Sequence, residues 1–313
     1  MTTKVSSTRS AYYRQLEHKK RKKLSFRGTT INPDRFHVSQ IKFYIILAPI
    51  VAFMAMPIVF IIFNALKPID ELMLFPPRFT TQRPTLDNFV MLIRLAERAA
   101  QPATVYLFNT LWVTAATIIS SLAISICAGY ALSKCDFRGR KLIFKANQIS
   151  LMFVPIAVAI PRYLVIANLG LLNTPWVHFL PMLAMPVGIF LIKQFIDQIP
   201  DALIEAARID GASDYFIVLK IILPLVKPAM ATLFILAFQM SWNAVEPSAM
   251  FIEQESLRTF AFFAGNLVDR SIGSLAGVGV AAAAGVLMFI PNFIVFIKMQ
   301  AGVMNTMAHS GIK

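Results

Sequence analysis

Six apolar runs of roughly twenty residues or more leave this chain few ways to fold. They lie at about 43–66, 105–133, 143–166, 175–193, 228–247 and 278–299. A helix rises about 1.5 Å per residue, so about 20 apolar residues cross a hydrocarbon core of about 30 Å. Lipid offers the backbone no hydrogen-bond partner, so each crossing must satisfy its own amides and carbonyls, which a helix does and a lone strand does not. Composition agrees: 57% of the side chains are hydrophobic, 15% are charged and the mean hydropathy is +0.64. That is too apolar for an ordinary soluble domain. The expectation is an all-α membrane protein of six spans, with 1–42 a basic tail and 43–313 one transmembrane domain.

A net charge of +14 suggests nucleic acid until its distribution is read. With the N-terminus inside, six spans place the tail, the 134–142 loop, the 194–227 loop and the C-terminus on the cytoplasmic side. Counting span ends, 22 Lys and Arg fall there and 8 outside, against 8 acidic residues on each side. The whole excess is cytoplasmic, which is the positive-inside pattern. Lys19 to Lys23 supply five consecutive positive charges, suited to anionic lipid. No nucleic-acid partner is expected, and the location is a prokaryotic inner or plasma membrane.

Prolines punctuate the spans. Pro49 and Pro57 are expected to bend the first, and Pro155, Pro161, Pro181 and Pro186 free carbonyls in the third and fourth that neighbouring helices must satisfy. Between the first two spans, Leu86 to Arg98 reads as a short surface helix turning Phe89, Met91, Leu92 and Leu95 toward lipid or a partner. Gly277, Gly279, Ala281 to Ala284 and Gly285 allow close helix approach in the last span. Cys127 and Cys135, eight positions apart on one helix, are separated by about 12 Å. That distance excludes a disulfide between them, and both read as packing residues.

The segment from Ile199, "IPDALIEAARIDGASDYFIVLKIILPLVKP", breaks the apolar pattern. Pro200, Asp201 and Glu205 suit a helix start; Leu203, Ala206, Ala207 and Asp210 fall on adjoining positions of one face. Gly211 permits positive φ or a close approach, and Ser213 or Asp214 can cap a second helix. Read alone, this is a helical hairpin at the inner leaflet. Glu205, Ala206, Ala207, Asp210, Gly211, Ala212 and Pro224 nevertheless resemble the EAA loop of binding-protein-dependent ABC importer permeases. Asn109 and Thr110, Ala128 to Ala131 with Phe137 to Gly139, the turn Asn168 to Thr174, and Trp242 with Asn243 resemble the sugar-type branch of that family, although Ala244 replaces the acidic residue that often follows. The ending Ser310, Gly311, Ile312 and Lys313 is similar as well.

The resemblance implies a type I ABC importer permease fold, with a cytoplasmic coupling helix in the 194–227 loop that docks on an ATPase. It implies a second homologous permease, two cytoplasmic ATPase subunits, an extracytoplasmic solute-binding protein and a carbohydrate substrate, the maltose-type second permease being nearest in form. Glu205 to Ala212 would make the coupling contact and Ser310 to Lys313 a further ATPase contact; Asn109, Gln239, Trp242 and Asn243 are candidates for the translocation path. Trp242 reads equally as a membrane anchor, and Arg162 as a residue snorkelling to the interface.

No G-x-x-x-x-G-K-[ST] loop occurs, so ATP and magnesium belong to the partner and this chain is not itself an enzyme. No metal-ligand spacing, H-E-x-x-H helix or G-x-S-x-G elbow is present, which counts against a membrane-embedded enzyme. The spans lack the chains of buried Asp, Glu and His that proton-coupled carriers use. An importer of a non-sugar solute, or an ATP-independent carrier or channel, is the alternative.

Overall fold

A computed structural model describes residues 41–97, 101–183, 185–271 and 275–310. All regular structure among them is helical: α1 (Ile41–Leu66), α2 (Asp87–Glu97), α3 (Ala103–Lys134), α4 (Arg140–Ser150), α5 (Ala159–Asn168), α6 (Pro186–Asp197), α7 (Asp201–Ile209), α8 (Asp214–Ile217), α9 (Lys227–Trp242), α10 (Phe260–Ser271) and α11 (Leu275–Ser310), with short turns between. The chain divides into two compact units, 1–59 and 60–313. In the first, the described residues form the start of α1, which stays helical through Pro49 and Pro57. Nearly all its apolar side chains there are exposed, as expected of a helix clothed by lipid or another subunit.

Among the described residues, five stretches are long and apolar enough to cross a membrane: Ile41–Leu66, Ala103–Lys134, Pro175–Asp197, Lys227–Met250 and Gly277–Gln300. The sixth expected span, 143–166, is not one helix. Arg140–Ser150 and Pro155–Asn168 meet at 110°. Pro155 lacks an amide hydrogen and biases the preceding residue away from helix; Val154 is extended at φ −76°, ψ 130°. Prolines also open the pieces of the fourth span, at Pro175–His178 and at α6. Neighbours take up the carbonyls of this broken stretch, with Ser121 Oγ donating to Met182 O and Asn147 Nδ2 to Pro186 O. Ahead of Pro224, where a regular helix would clash with a carbonyl four residues back, the chain widens into the π-turn Val218–Ile222.

The second unit is organised around α3, which packs against α6 and α9, while α9 and α10 pack against α11. One core joins Ile118, Ile126 and Tyr130 with Ile192, Ile196, Ile204, Ile217, Ile222 and Leu233. Ser241 Oγ lies 3.4 Å from both Thr114 Oγ1 and Thr117 Oγ1, a polar seam between α3 and α9 of the kind that joins helices in lipid.

A second core corrects the reading of the surface helix. Leu92 is buried against Ala65, Tyr106, Val280, Ala283 and Ala284, with Phe89 and Leu95 beside it; Met91 alone of the expected outward group is exposed. The stripe of small residues in α11 made room for α2, a partner that periodicity could not name. Asn88 Nδ2 donates to Ala65 O at 3.0 Å and Lys67 O at 2.8 Å, satisfying carbonyls where α1 ends. A β-carbon at Gly279 would intrude on Asn88.

Gly279→Val should therefore unseat the Asn88 amide and cost about 1–3 kcal/mol, the usual penalty for stranding buried polar groups. Asn88→Ala should lose the same bonds without the clash. Thermal unfolding of the detergent-purified chain checks this: the double variant should be little worse than the poorer single, whereas additive losses would show that the two residues do not act through one contact.

Candidate functional site

The helix–glycine–helix reading of 199–217 agrees with the structure in detail. Pro200 stands just before α7 with φ −58° and Asp201 opens it, one position later than a proline in the first turn. The helix ends when Gly211 adopts φ +79°. Gly211 N donates to Arg208 O at 3.0 Å and Ala212 N to Ala207 O at 2.9 Å. This pair of bonds is a Schellman motif, which satisfies the last carbonyls of a helix and needs a left-handed residue at the position of Gly211. A β-carbon there would meet nothing within 4 Å, so backbone conformation, not crowding, selects glycine. Ser213 caps α8, its hydroxyl accepting from Phe216 N at 3.3 Å.

Which face points outward differs from the expectation. Ile204 is 3% exposed and belongs to the main core, with Ala207 and Ala212 packed against it. The outward face consists of Ala202, Glu205, Ala206 and Ile209, spaced at three and four residues, flanked by Leu203 and Asp210. Ile209 is 86% exposed and Tyr215, Phe216 and Leu219 continue the apolar surface. Ala207, expected on the contact face, thus turns inward, while Glu205, Ala206, Asp210 and Gly211 remain accessible. An apolar face of this kind, rimmed by Glu205 and Asp210 and attached to a membrane bundle, is suited to a protein partner.

Three side chains on the last turn of α3 hold this segment. Tyr130 OH donates to Asp214 Oδ1 at 2.8 Å, Ser133 Oγ to Asp197 Oδ1 at 2.5 Å, and Lys134 Nζ to Asp201 Oδ1 at 2.5 Å and Ile199 O at 2.6 Å. The start of α7 is therefore fixed directly to one helix, and its last turn indirectly, through Asp214 at the start of α8. Arg208 Nη2 adds a bond to Asp214 Oδ1 at 3.1 Å. The Tyr130 hydroxyl and then Arg208 hold the Asp214 carboxyl below its ordinary pKa, and Lys134 does the same for Asp201. Arg140 donates to Leu132 O and Ser133 O and closes the end of α3. Sequence gave Tyr130 a family match but no partner, since its carboxylate lies 84 residues away.

The remaining candidates do not converge. Asn109 is buried at the far end of the bundle, donating to Ser256 O at 2.7 Å and Arg258 O at 2.9 Å. Thr110, His178 and Asn173 hold the same loop, through Phe260 N, Leu257 O and the amides of Glu253 and Gln254. Trp242 is buried beside Phe238 and gives its indole hydrogen to Met288 O at 3.2 Å, so it is a packing residue, not an interfacial anchor. Gln239 and Asn243 are exposed. Arg162 pairs with Glu246 instead of snorkelling. Cys135 packs on the core and Cys127 is exposed, which corrects its reading as a packing residue. Helix α11 reaches Ser310; Gly311, Ile312 and Lys313 lie outside the described residues, as does the tail through Gln40. Among the described residues no group of His, Cys, Asp and Glu could hold a metal ion.

Because the carboxyls of Asp201 and Asp214 are depressed, their contribution to holding the loop is fully present above the unfolded carboxylate pKa and is lost as pH falls through the lower folded values. Protection factors for amide exchange across 199–217, taken against the intrinsic rate at each pH, should stay high at neutral pH and fall only in acid. A charge swap tests the bracket directly: Lys134→Asp and Asp201→Lys should each speed exchange in α7, and the pair together should slow it again. Exchange unchanged in both singles would show that the bracket does not hold the loop.

A family model for the binding-protein-dependent transport system inner membrane component matches residues 121–301, which include α6 to α9 and the glycine break. The arabinooligosaccharides transport system permease protein AraQ of Halalkalibacterium halodurans is 30% identical, over 84% of this chain and 93% of its own length. The sn-glycerol-3-phosphate transport system permease protein UgpE of Yersinia pestis is 33% identical over 64% of this chain and 70% of its own. A chain from the crystal structure of a bacterial ABC transporter involved in the import of the acidic polysaccharide alginate superposes with a TM-score of 0.71 at 22% identity, covering 86% of this chain and 99% of that one; it shares the fold. With the broken third span, the proline-started fourth and the bracketed α7 all inside a matched region, this multi-pass membrane protein belongs to the binding-protein-dependent ABC importer permeases.

Proposed function

We propose that the chain forms half of the translocation pore of an ATP-driven importer for a carbohydrate, with a second homologous permease supplying the other half. Two cytoplasmic ATPase subunits would bind ATP and magnesium, and an extracytoplasmic binding protein would deliver the solute. The observation that carries this reading is the exposed face of α7, fixed to α3 directly at its start and through Asp214 at its last turn. Glu205, Ala206, Asp210 and Gly211 would meet the ATPase, with Ala207 and Ala212 supporting them from behind. Burying such a face contributes on the order of a few kcal/mol at ~25 cal/mol per Å². Both termini and residues 194–227 would be cytoplasmic, residues 1–42 being a basic tail drawn to anionic lipid and 43–313 the permease domain. Ser310 to Lys313 would add a second ATPase contact.

Several relatives support a sugar as cargo: AraQ is named for arabinooligosaccharides, and SmoH of Agrobacterium fabrum, 30% identical over 65% of this chain, for sulfoquinovosyl glycerol. A solved relative of the fold was crystallised with a periplasmic protein carrying an alginate pentasaccharide, which favours delivery by a binding protein. UgpE favours a second reading, a phosphorylated polyol.

Gly211→Trp should keep the chain in the membrane yet lose the ATPase in pull-down and abolish uptake, because a bulky residue resists φ +79° and would stand in the contact. Thr80→Trp, exposed at the other end, should do neither. Normal association and uptake in Gly211→Trp would reject the docking role. Separately, a cysteine at Ser213 should be labelled only from the inside by an impermeant reagent; labelling from outside intact cells would reject the orientation.

A further inference from the structure

Three amide side chains lie near the middle of the last two spans. Gln239 sits at the midpoint of Lys227–Met250 and Asn243 about one turn beyond it; Asn292 lies about one turn past the midpoint of Gly277–Gln300. Asn292 and Asn243 bond side chain to side chain, and Asn243 in turn reaches the backbone carbonyl of Gln239, not its amide side chain. Asn292 Nδ2 donates to Asn243 Oδ1 at 3.2 Å and to Met288 O at 3.0 Å, and Asn243 Nδ2 donates to Gln239 O at 3.0 Å. Asn292 Oδ1 is buried with no donor, while the side chains of Gln239 and Asn243 are exposed.

An amide turned to hydrocarbon would forfeit its hydrogen bonds, so polar side chains at this depth face protein or a water-filled cavity. The stretches 228–242 and 278–297 contain no Lys, Arg, Asp or Glu, and the nearest charge in sequence, Glu246 three residues beyond Asn243, is paired with Arg162, so the cluster donates and accepts without adding a charge of its own. Phe289, three residues before Asn292, and Phe293, next to it, lie on one flank of its face, their rings stacked at 5.4 Å. Uncharged amides beside an aromatic surface match a solute with many hydroxyls and apolar ring faces.

We infer that Gln239 and Asn243, positioned by Asn292, form an uncharged contact site of the translocation path for a neutral, polyhydroxylated solute. The assignment rests on the importer reading and selects between its two cargo classes, disfavouring a phosphorylated or carboxylated one. Asn292 carries no family match, and its role comes from the contact with Asn243 alone.

The test uses the assembled complex in vesicles, with Cys127 and Cys135 replaced by alanine. Cysteines are introduced singly at Gln239, Asn243 and, as an exposed apolar control on α3, Ile119. Cationic and anionic thiosulfonates, applied to both faces, report where a thiolate meets water. Gln239→Cys and Asn243→Cys should react about tenfold or more faster than Ile119→Cys with ATP absent or with ATP and vanadate, the two reagents, each normalised to its rate with a small free thiol, agreeing within about threefold, because a site without net charge has little field to favour either. Smaller ratios to Ile119→Cys in both nucleotide states would overturn the proposal, showing the face covered by lipid or by the second permease. A preference above that margin for either reagent would overturn the neutral class. Labelling requires neither substrate nor hydrolysis, so a chain that purified without an ATPase would reject the importer reading and still leave this contrast to be read.

Discussion

Tyr130, Ser133 and Lys134, within two turns of one helix, hold Asp214, Asp197 and Asp201, and the exposed segment between α6 and α9 keeps its shape because of them. A nine-residue helix in water is marginal by itself. Ile204 gives α7 a single buried anchor, which fixes one point and leaves rotation about it. Bonds at both ends remove that freedom. Asp201 and Asp214 stay ionised because their donors stabilise the charged form, so these two bonds are intact over the whole neutral range.

The rest of the architecture follows from the same rule about backbone polar groups. Prolines at 155, 175, 181 and 186 deny the third and fourth spans a continuous hydrogen-bond ladder, and carbonyls at Met182 and Pro186 are answered by Ser121 of α3 and Asn147 of α4. At the other end, Asn109, Thr110 and Asn173 treat the 251–260 loop likewise, offering side-chain donors and acceptors where no helix or strand could. Irregular backbone in this protein is found where polar side chains from regular helices reach it.

Local chemistry made parts of this legible in advance. Span positions follow from hydropathy, and the break at Gly211 and the cap at Ser213 follow from φ preference and hydroxyl geometry, which depend on neighbours in sequence. The face of α7 was not legible. Alanine at 206 and at 207 looks identical in a periodicity count, and only Ile196 and Ile217, packed in the same core as Ile204, decide that Ala207 turns inward. The burial of Trp242 and the pairing of Arg162 with Glu246 fail for the same reason: an amphipathic side chain near a span end can reach water or a neighbour, and the neighbour lies 84 residues away for Arg162. The third span was misread because apolarity measures affinity for lipid and ignores whether Pro155 lets the helix continue.

The bracket also constrains how a motor could act on the pore. Nucleotide can shift a conformational equilibrium only by binding two states with different affinity, and the difference must reach the spans through a body that moves as a unit. Helix α7 joins α6 and α9 through the chain, but both links bend: α6 ends before Pro200, and the way to α9 passes through the π-turn and Pro224. Its bonds to α3 cross neither link. Displacement of α7 is therefore passed first to α3, and α3 packs along α9, whose far half carries Gln239 and Asn243. Ser241, two residues from each of those amides and on the opposite side of the helix, touches Thr114 and Thr117 of α3. A single helix, α3, thus packs both against the segment bearing the exposed face of α7 and against the helix bearing the amides, so a contact made at one end of the bundle would have a direct path to mid-span without a separate relay.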